Sequence, residues 1–197
     1  MGKIFIVMGK SSTGKDTIYK KLMDSEELSL KTAVMYTTRP IRKSEEDGVE
    51  YYFVNEETLI KLQEQNKIIE HRAYQTIHGT WHYFTVNDGQ INLETADYLM
   101  IGTLETYEQI REYFGQDKVV PLYIEVEDGV RLMRALKREQ KQENPKYAEM
   151  CRRYLADEED FTDENLQKLG IVKRYQNYDI NTCLSEVIGD IKNCTVK

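Results

Sequence analysis

Nine consecutive residues, Gly9-Lys10-Ser11-Ser12-Thr13-Gly14-Lys15-Asp16-Thr17, carry the clearest chemistry in this chain. The phosphate-binding pattern G-x-x-x-x-G-K-[ST] fits up to Lys15, and Asp16 then stands where a magnesium-binding hydroxyl is expected. Gly9 and Gly14 allow backbone conformations that other residues disfavour. The N–H groups of Ser11, Ser12, Thr13 and their neighbours can therefore turn inward around an anion, helped by the positive end of a following helix. Lys15 adds a mobile point charge for β- and γ-phosphates. Thr17 supplies a hydroxyl one position beyond Asp16. A carboxylate can bind Mg²⁺ directly or through water, so Asp16 is the candidate metal ligand for Mg²⁺ brought in with ATP. Asp16 also sets a negative charge near triphosphate oxygens, which costs affinity unless the metal lies between them.

Such a loop works only if a strand enters it and a helix leaves it. Residues 3–9, Lys-Ile-Phe-Ile-Val-Met-Gly, form a short apolar run suited to a buried parallel strand. Ile18 and Leu22 then recur at helical spacing. A surface turn rich in Gly and Ser would match by chance without those flanks; with them, the segment reads as a nucleoside triphosphate site.

A second constellation runs Thr37-Thr38-Arg39-Pro40-Ile41-Arg42, then Asp47-Gly48-Val49-Glu50-Tyr51-Tyr52-Phe53-Val54. Two guanidinium groups three residues apart, around a proline that restrains the loop, suit a phosphate monoester because arginine's planar fork matches phosphate oxygens. A solvated, charge-rich turn is the alternative for this segment taken alone. P-loop, Thr-Thr-Arg-Pro-x-Arg and Asp-Gly-x-x-Tyr-x-Phe-Val, in this order and spacing, resemble the guanylate kinase family over nearly the whole chain.

That resemblance implies an α/β fold of the P-loop kinase kind: three layers, a parallel core sheet, an inserted nucleotide-monophosphate-binding domain and a helical lid. It implies transfer of the γ-phosphate of ATP to GMP, or dGMP, with Mg²⁺ accompanying ATP. By the same resemblance Arg39, Arg42 and Tyr51 hold the acceptor phosphate. Glu70 accepts hydrogen bonds from guanine N1–H and the 2-amino group, and Thr80 lies near guanine O6. His78 occupies a position usually filled by tyrosine. Among the cations of residues 128–154, Arg153 matches a lid arginine that contacts phosphate. Arg134 and Arg138 match two others after a one-residue shift, and share a helix face; a solvated helix face is the alternative. Asn177 falls where adenine is seated. Lys15, Arg39, Arg134, Arg138 and Arg153 are thus the expected catalytic charges.

The chain departs from the family pattern at three places. Asp16 is one. Ile101 and Thr103 stand at two positions usually held by aspartates, with Glu105 two residues further on. Met35 and Tyr36 replace small hydroxyl residues of the guanine pocket, where Tyr36 can stack or donate a hydrogen bond. Two alternatives follow: a sugar-phosphate kinase of the same fold acting on ribose 1,5-bisphosphate, whose P-loop also reads Gly-Lys-Asp, and a non-catalytic binding module.

Composition narrows the classes. The 197 residues, 40% hydrophobic and 31% charged, suffice for one α/β domain with insertions. A net charge of −7 argues against a nucleic-acid partner. Cys151, Cys183 and Cys194 show neither metal-ligand spacing nor a paired framework, which with the lack of a signal peptide or membrane span points to the cytoplasm. Small-molecule partners, ATP and GMP, and a monomer or homodimer are expected. With no linker or repeat, the core is expected from residues 1–32, 85–127 and 155–197, the acceptor-binding subdomain from 33–84 and the lid from 128–154.

Overall fold

The computed structural model describes residues 1–76 and 79–195. Its centre is β1 (Ile4–Met8), five residues with no solvent exposure. β1 pairs in parallel with β6 (Tyr98–Ile101) on one side and β7 (Val119–Glu125) on the other. β8 (Arg174–Gln176) extends the sheet beyond β7, giving the order β6-β1-β7-β8. A strand covered on both faces needs apolar residues at successive positions, which is why Ile-Phe-Ile-Val-Met shows no alternation. Pro121 sits inside β7 because β8 reaches only Tyr123–Glu125, leaving that side of Pro121 free of a ladder.

Helices cover both faces. Phe5 and Val7 pack with Ile18 and Leu22 of α1 (Lys15–Met23) and with Cys183, Val187 and Ile191 of α7 (Ile180–Thr195). Ile4, Ile6 and Met8 pack on the opposite face with Leu104, Tyr107 and Ile110 of α3 (Leu104–Phe114) and Leu166 of α6 (Asp163–Lys168). The period-2 alternation of β1 thus feeds two separate apolar layers. Among the described residues no helix is long and apolar enough to cross a membrane.

A second sheet, ordered β3-β2-β5-β4, lies between β1 and β6 in sequence. It comprises β2 (Tyr36–Thr37), β3 (Tyr52–Phe53) and the long antiparallel hairpin of β4 (Ile68–Thr76) and β5 (Gly79–Val86). α2 (Glu56–Glu64), capped by Asn55 on the Thr58 N–H, lays Leu59 against Phe84 and Val86. Gln109 of α3 docks on the β4 edge: its side chain accepts from the His71 N–H at 2.8 Å and donates to the His71 carbonyl at 3.2 Å. An exposed strand edge is thereby satisfied by a helix side chain.

Two charged helices close the third region, α4 (Asp128–Glu139), with more basic than acidic residues, and α5 (Tyr147–Asp160), which is acidic toward its C-terminal end. β5 ends at Val86 and α5 at Asp160.

β1 delivers its chain to α1 through a turn that only glycine fits. Gly9 has φ +150°, and a Cβ there would lie 2.2 Å from the Ile124 carbonyl oxygen of β7. Gly9→Ala should lower stability by at least about 2 kcal/mol in urea unfolding. An unchanged midpoint would show that β1 and β7 do not approach so closely.

Candidate active site

The loop between β1 and α1 is held in an anion-binding shape by its own backbone and by two clamps behind it. Gly14 (φ +91°) and Ser12 (φ +66°) adopt left-handed conformations, and Ser12 Oγ is buried without a hydrogen-bond partner. Asn177, just after β8, donates from Nδ2 to the Thr13 carbonyl at 2.7 Å. A Cβ on Gly14 would meet that same Nδ2 at 2.4 Å. Arg134 of α4 donates to the Asn177 carbonyl at 2.9 Å and to the Thr13 carbonyl at 3.4 Å. Asn177 and Arg134, expected to contact adenine and phosphate, here spend their polar groups on the back of the loop. The buried Thr13 carbonyl has no helical partner, and these two side chains supply its donors.

Lys15 opens α1, and its ammonium lies 3.7 Å from the exposed carboxylate of Asp16. Thr17 is exposed beside them. Asp16 and Thr17 put hard oxygen atoms at the mouth of the loop, the type that Mg²⁺ takes together with substrate phosphates. Among the described residues no group of three or more His, Cys, Asp or Glu is placed to hold a metal unaided. A lone Asp16 carboxylate would suit Mg²⁺ only together with oxygens supplied by a bound phosphate and water.

The front of the loop faces acidic and basic side chains of the lid. Ser11 N–H donates to Asp157 Oδ2 at 2.8 Å, and Arg153 Nη2 reaches Ser11 Oγ at 3.3 Å. Lys10 Nζ donates to Glu158 at 2.8 Å. Arg131, fully buried, donates to Asp128 and Asp157, each at 3.2 Å, and to Glu158, with its guanidinium 3.9 Å above the Tyr154 ring. Any anion that uses the Ser11 amide has to replace Asp157. Arg131, Lys10 and Asp157 are site residues that the motifs did not reveal; the signal was Arg131 one helical turn before Arg134 and two before Arg138.

Two cavities meet at this point. One, of about 480 Å³, is bounded by Ser11, Ser12, Arg131, Arg138 and Arg153. The other, of about 570 Å³, lies between the loop, α5 and the second sheet, and is walled by Arg39, Arg42, Tyr51, Arg72, Trp81 and Tyr83. Ser11, Arg42 and Arg153 line both. The expected phosphate residues Arg39, Arg42 and Tyr51 are thus brought together with the loop. Arg39 is 3% exposed and gripped by Glu45, Nη1 to Oε2 at 2.7 Å and Nη2 to Oε1 at 2.6 Å. It stacks 5.1 Å from the Tyr51 ring centre and 5.3 Å from that of Phe53, and its Nε has no partner.

The base-reading residues are not assembled as expected. Glu70 is 1% exposed and fully engaged: Oε2 accepts from Arg72 Nε at 3.0 Å, and Oε1 from Thr85 Oγ1 at 3.0 Å and Arg72 Nη2 at 3.4 Å. Its carboxylate is closed to the cleft; Arg72 faces the cleft instead. Thr80 sits near the hairpin tip, where its hydroxyl donates to Gln75 Oε1 at 3.0 Å. The register pairs Glu70 with Thr85 and Gln75 with Thr80, so Thr80 lies about 17 Å along the strand from Glu70. Tyr36 stacks on Phe84 and donates to Asp88 Oδ2 at 2.8 Å; burial first, and then this bond to a carboxylate, pushes its hydroxyl well above the ordinary tyrosine range. It braces the second sheet and does not line the cleft. Thr103 caps α3 through the Thr106 N–H at 3.2 Å, a role that an aspartate would fill as well. His78 lies outside the described residues.

The parallel sheet, glycine loop and helical cover are those of a P-loop kinase fold. The sequence profile described as Guanylate kinase matches residues 1–161, and the chain belongs to that family. It is 28% identical to a guanylate kinase of Porphyromonas gingivalis over 126 residues, 63% of this chain and 65% of that protein. It is 30% identical to one of Malacoplasma penetrans over 138 residues, 70% of this chain and 58% of that protein. The matched segments therefore span less than two thirds of either relative. The crystal structure of guanylate kinase from Anaplasma phagocytophilum superposes with a TM-score of 0.63 at 21% identity, covering 100% of this chain and 87% of that one, a likeness of fold.

Arg39 and Glu45 form a pair whose pH dependence can be read. Hydrogen bonds from Arg39 hold the Glu45 carboxyl down at about 2, against an ordinary 4.5. The pair's contribution is complete above pH 4.5 and fades as pH falls toward 2. Glu45→Gln should cost about 2 kcal/mol at pH 7. The gap to wild type, followed by urea unfolding, should narrow from pH 4.5 downward. Parallel curves across that interval would remove the ion pair from the stability of the second sheet.

Proposed function

We propose that the chain transfers the γ-phosphate of ATP to the phosphate of GMP, giving ADP and GDP. The observation that carries this reading is the meeting of the two cavities at Ser11, Arg42 and Arg153. A triphosphate seated on the loop and a phosphate monoester beside Arg39 and Arg42 would face each other there. Family membership and the names of the relatives support guanine nucleotides as substrates. The aromatic wall of Tyr51, Trp81 and Tyr83 suits a stacked base.

In this reading Lys15 binds the triphosphate end, while Arg138 and Arg153 draw off the charge that develops on the transferred group. Arg42 orients the acceptor phosphate, and Arg39, fixed by Glu45, Tyr51 and Phe53, gives that phosphate a rigid cationic floor. Mg²⁺ held at Asp16 would supply further neutralisation of the triphosphate charge. Closure of α4 and α5 would exclude water, which suppresses hydrolysis of ATP. Exchange of Asp157 for phosphate at the Ser11 amide would couple ATP binding to movement of α5.

A coupled assay of ADP release across GMP, dGMP, AMP, UMP and ribose 1,5-bisphosphate tests the reading. Turnover is expected with GMP and dGMP. Turnover with the sugar bisphosphate alone would overturn it in favour of a sugar-phosphate kinase. Absence of ATP binding by calorimetry at millimolar ATP with Mg²⁺ would favour a non-catalytic binding module.

A further inference from the structure

We propose that Asp157 is a built-in competitor for the donor loop, and that an anion bound in the acceptor cleft releases it, so that acceptor binding strengthens the binding of ATP. This rests on the reading of the two cavities as donor and acceptor sites.

Asp157 Oδ2 accepts from the Ser11 N–H at 2.8 Å, the kind of bond that a phosphate oxygen makes at the start of a helix. A carboxylate oxygen on a backbone N–H is a charge-assisted acceptor, as a phosphate oxygen is, so the two exclude each other there. Glu158 repeats the contact one residue along, accepting from Lys10 Nζ at 2.8 Å. The loop is therefore met by two neighbouring carboxylates of α5.

The same carboxylate stands in the acceptor cleft. Asp157 lines that cavity with Arg39, Arg42 and Arg153, and Ser11 lies where it joins the donor cavity. Arg153 precedes Asp157 by four residues on α5, so both share one face of the helix. A phosphate monoester resting against Arg42 attracts Arg153, whose Nη2 donates to Ser11 Oγ at 3.3 Å, and repels Asp157. Moving Asp157 off the Ser11 amide relieves the repulsion. The cost is one hydrogen bond, because Arg131 Nη1 donates to the same Oδ2 at 3.2 Å and keeps the carboxylate paired after it leaves Ser11. The Ser11 N–H then turns to a triphosphate oxygen. ATP arriving without an acceptor must displace Asp157 unaided, so the competition weakens its binding and limits its hydrolysis.

Calorimetry on the unmodified protein, with Mg²⁺ and a non-hydrolysable ATP analogue, reads the coupling when run without GMP and with GMP at saturation. GMP should lower the Kd of the analogue about fivefold or more, and the analogue should tighten GMP by the same factor. A Kd that GMP leaves unchanged or raises, with both ligands bound, would overturn the inference and leave the functional reading intact. Failure of either nucleotide to bind would instead sink that reading and this inference with it. Asp157→Asn keeps an acceptor atom but removes the charge. Without GMP it should bind the analogue about fivefold more tightly than wild type, and the effect of GMP should shrink below about twofold. Wild-type affinity, or coupling of wild-type size, in the folded variant would overturn the assignment to Asp157. Arg131 loses one of its three carboxylates in this variant, so a second reading is taken on the unmodified protein. GMP alone should speed hydrogen exchange at the Ser11 amide about tenfold, and an unchanged rate would overturn the inference as well.

Discussion

The buried guanidinium of Arg131 is the contact on which the arrangement of loop and lid depends. It has no exposure, so its charge must be met inside the protein, and Asp128, Asp157 and Glu158 meet it while Tyr154 covers its face. These carboxylates belong to two helices, so α4 and α5 are locked to each other. Asp157 and Glu158 turn in addition to Ser11 and Lys10, so the same charge balance ties the lid to the loop. Arg134, one turn further along α4, completes the tie from behind through Asn177 and Thr13. Removing one member would leave a desolvated charge, and such losses exceed those of exposed ion pairs.

The acceptor side uses the same device at smaller scale. Arg39 is matched by Glu45 and Arg72 by Glu70, so two of the cleft's arginines bring their own carboxylate. Each pair fixes its guanidinium in one orientation, which matters more for recognition than the charge alone. Arg42, largely exposed and 4.0 Å from Glu45, is the solvated member of the set. Buried and exposed cations therefore share the wall.

Much of this was legible in the chain because it is local. The apolar run before Gly9, the two glycines and Lys15 specify strand, turn and helix within some twenty residues, and the structure has those elements in that order. Proximity of Arg39, Arg42 and Tyr51 followed from one short loop. What escaped depends on pairing between distant strands or on helical phase. The family resemblance sets Glu70 and Thr80 on one base, yet the β4–β5 register with its irregularity between Ile68 and Glu70 sets Thr85 against Glu70. Arg72 is two residues from Glu70 on the same face of β4, so that pair was within reach of the strand alternation alone. Thr103 proves to be the N-cap of α3, which the sequence did not reveal, though the cap itself does not account for the loss of an aspartate. Arg134 and Arg138 share a face in sequence but diverge in the fold, one bracing the loop and the other lining its cavity.

The most direct measurement follows the phosphoryl group itself. ATP labelled at the γ-phosphate is incubated with the protein, Mg²⁺ and GMP, and the products are separated by ion-exchange chromatography. The label should appear in GDP, as its β-phosphate, in step with the loss of ATP. Label released as inorganic phosphate, or retained in ATP while GMP stays unchanged, would contradict direct transfer between the two cavities that meet at Ser11, Arg42 and Arg153.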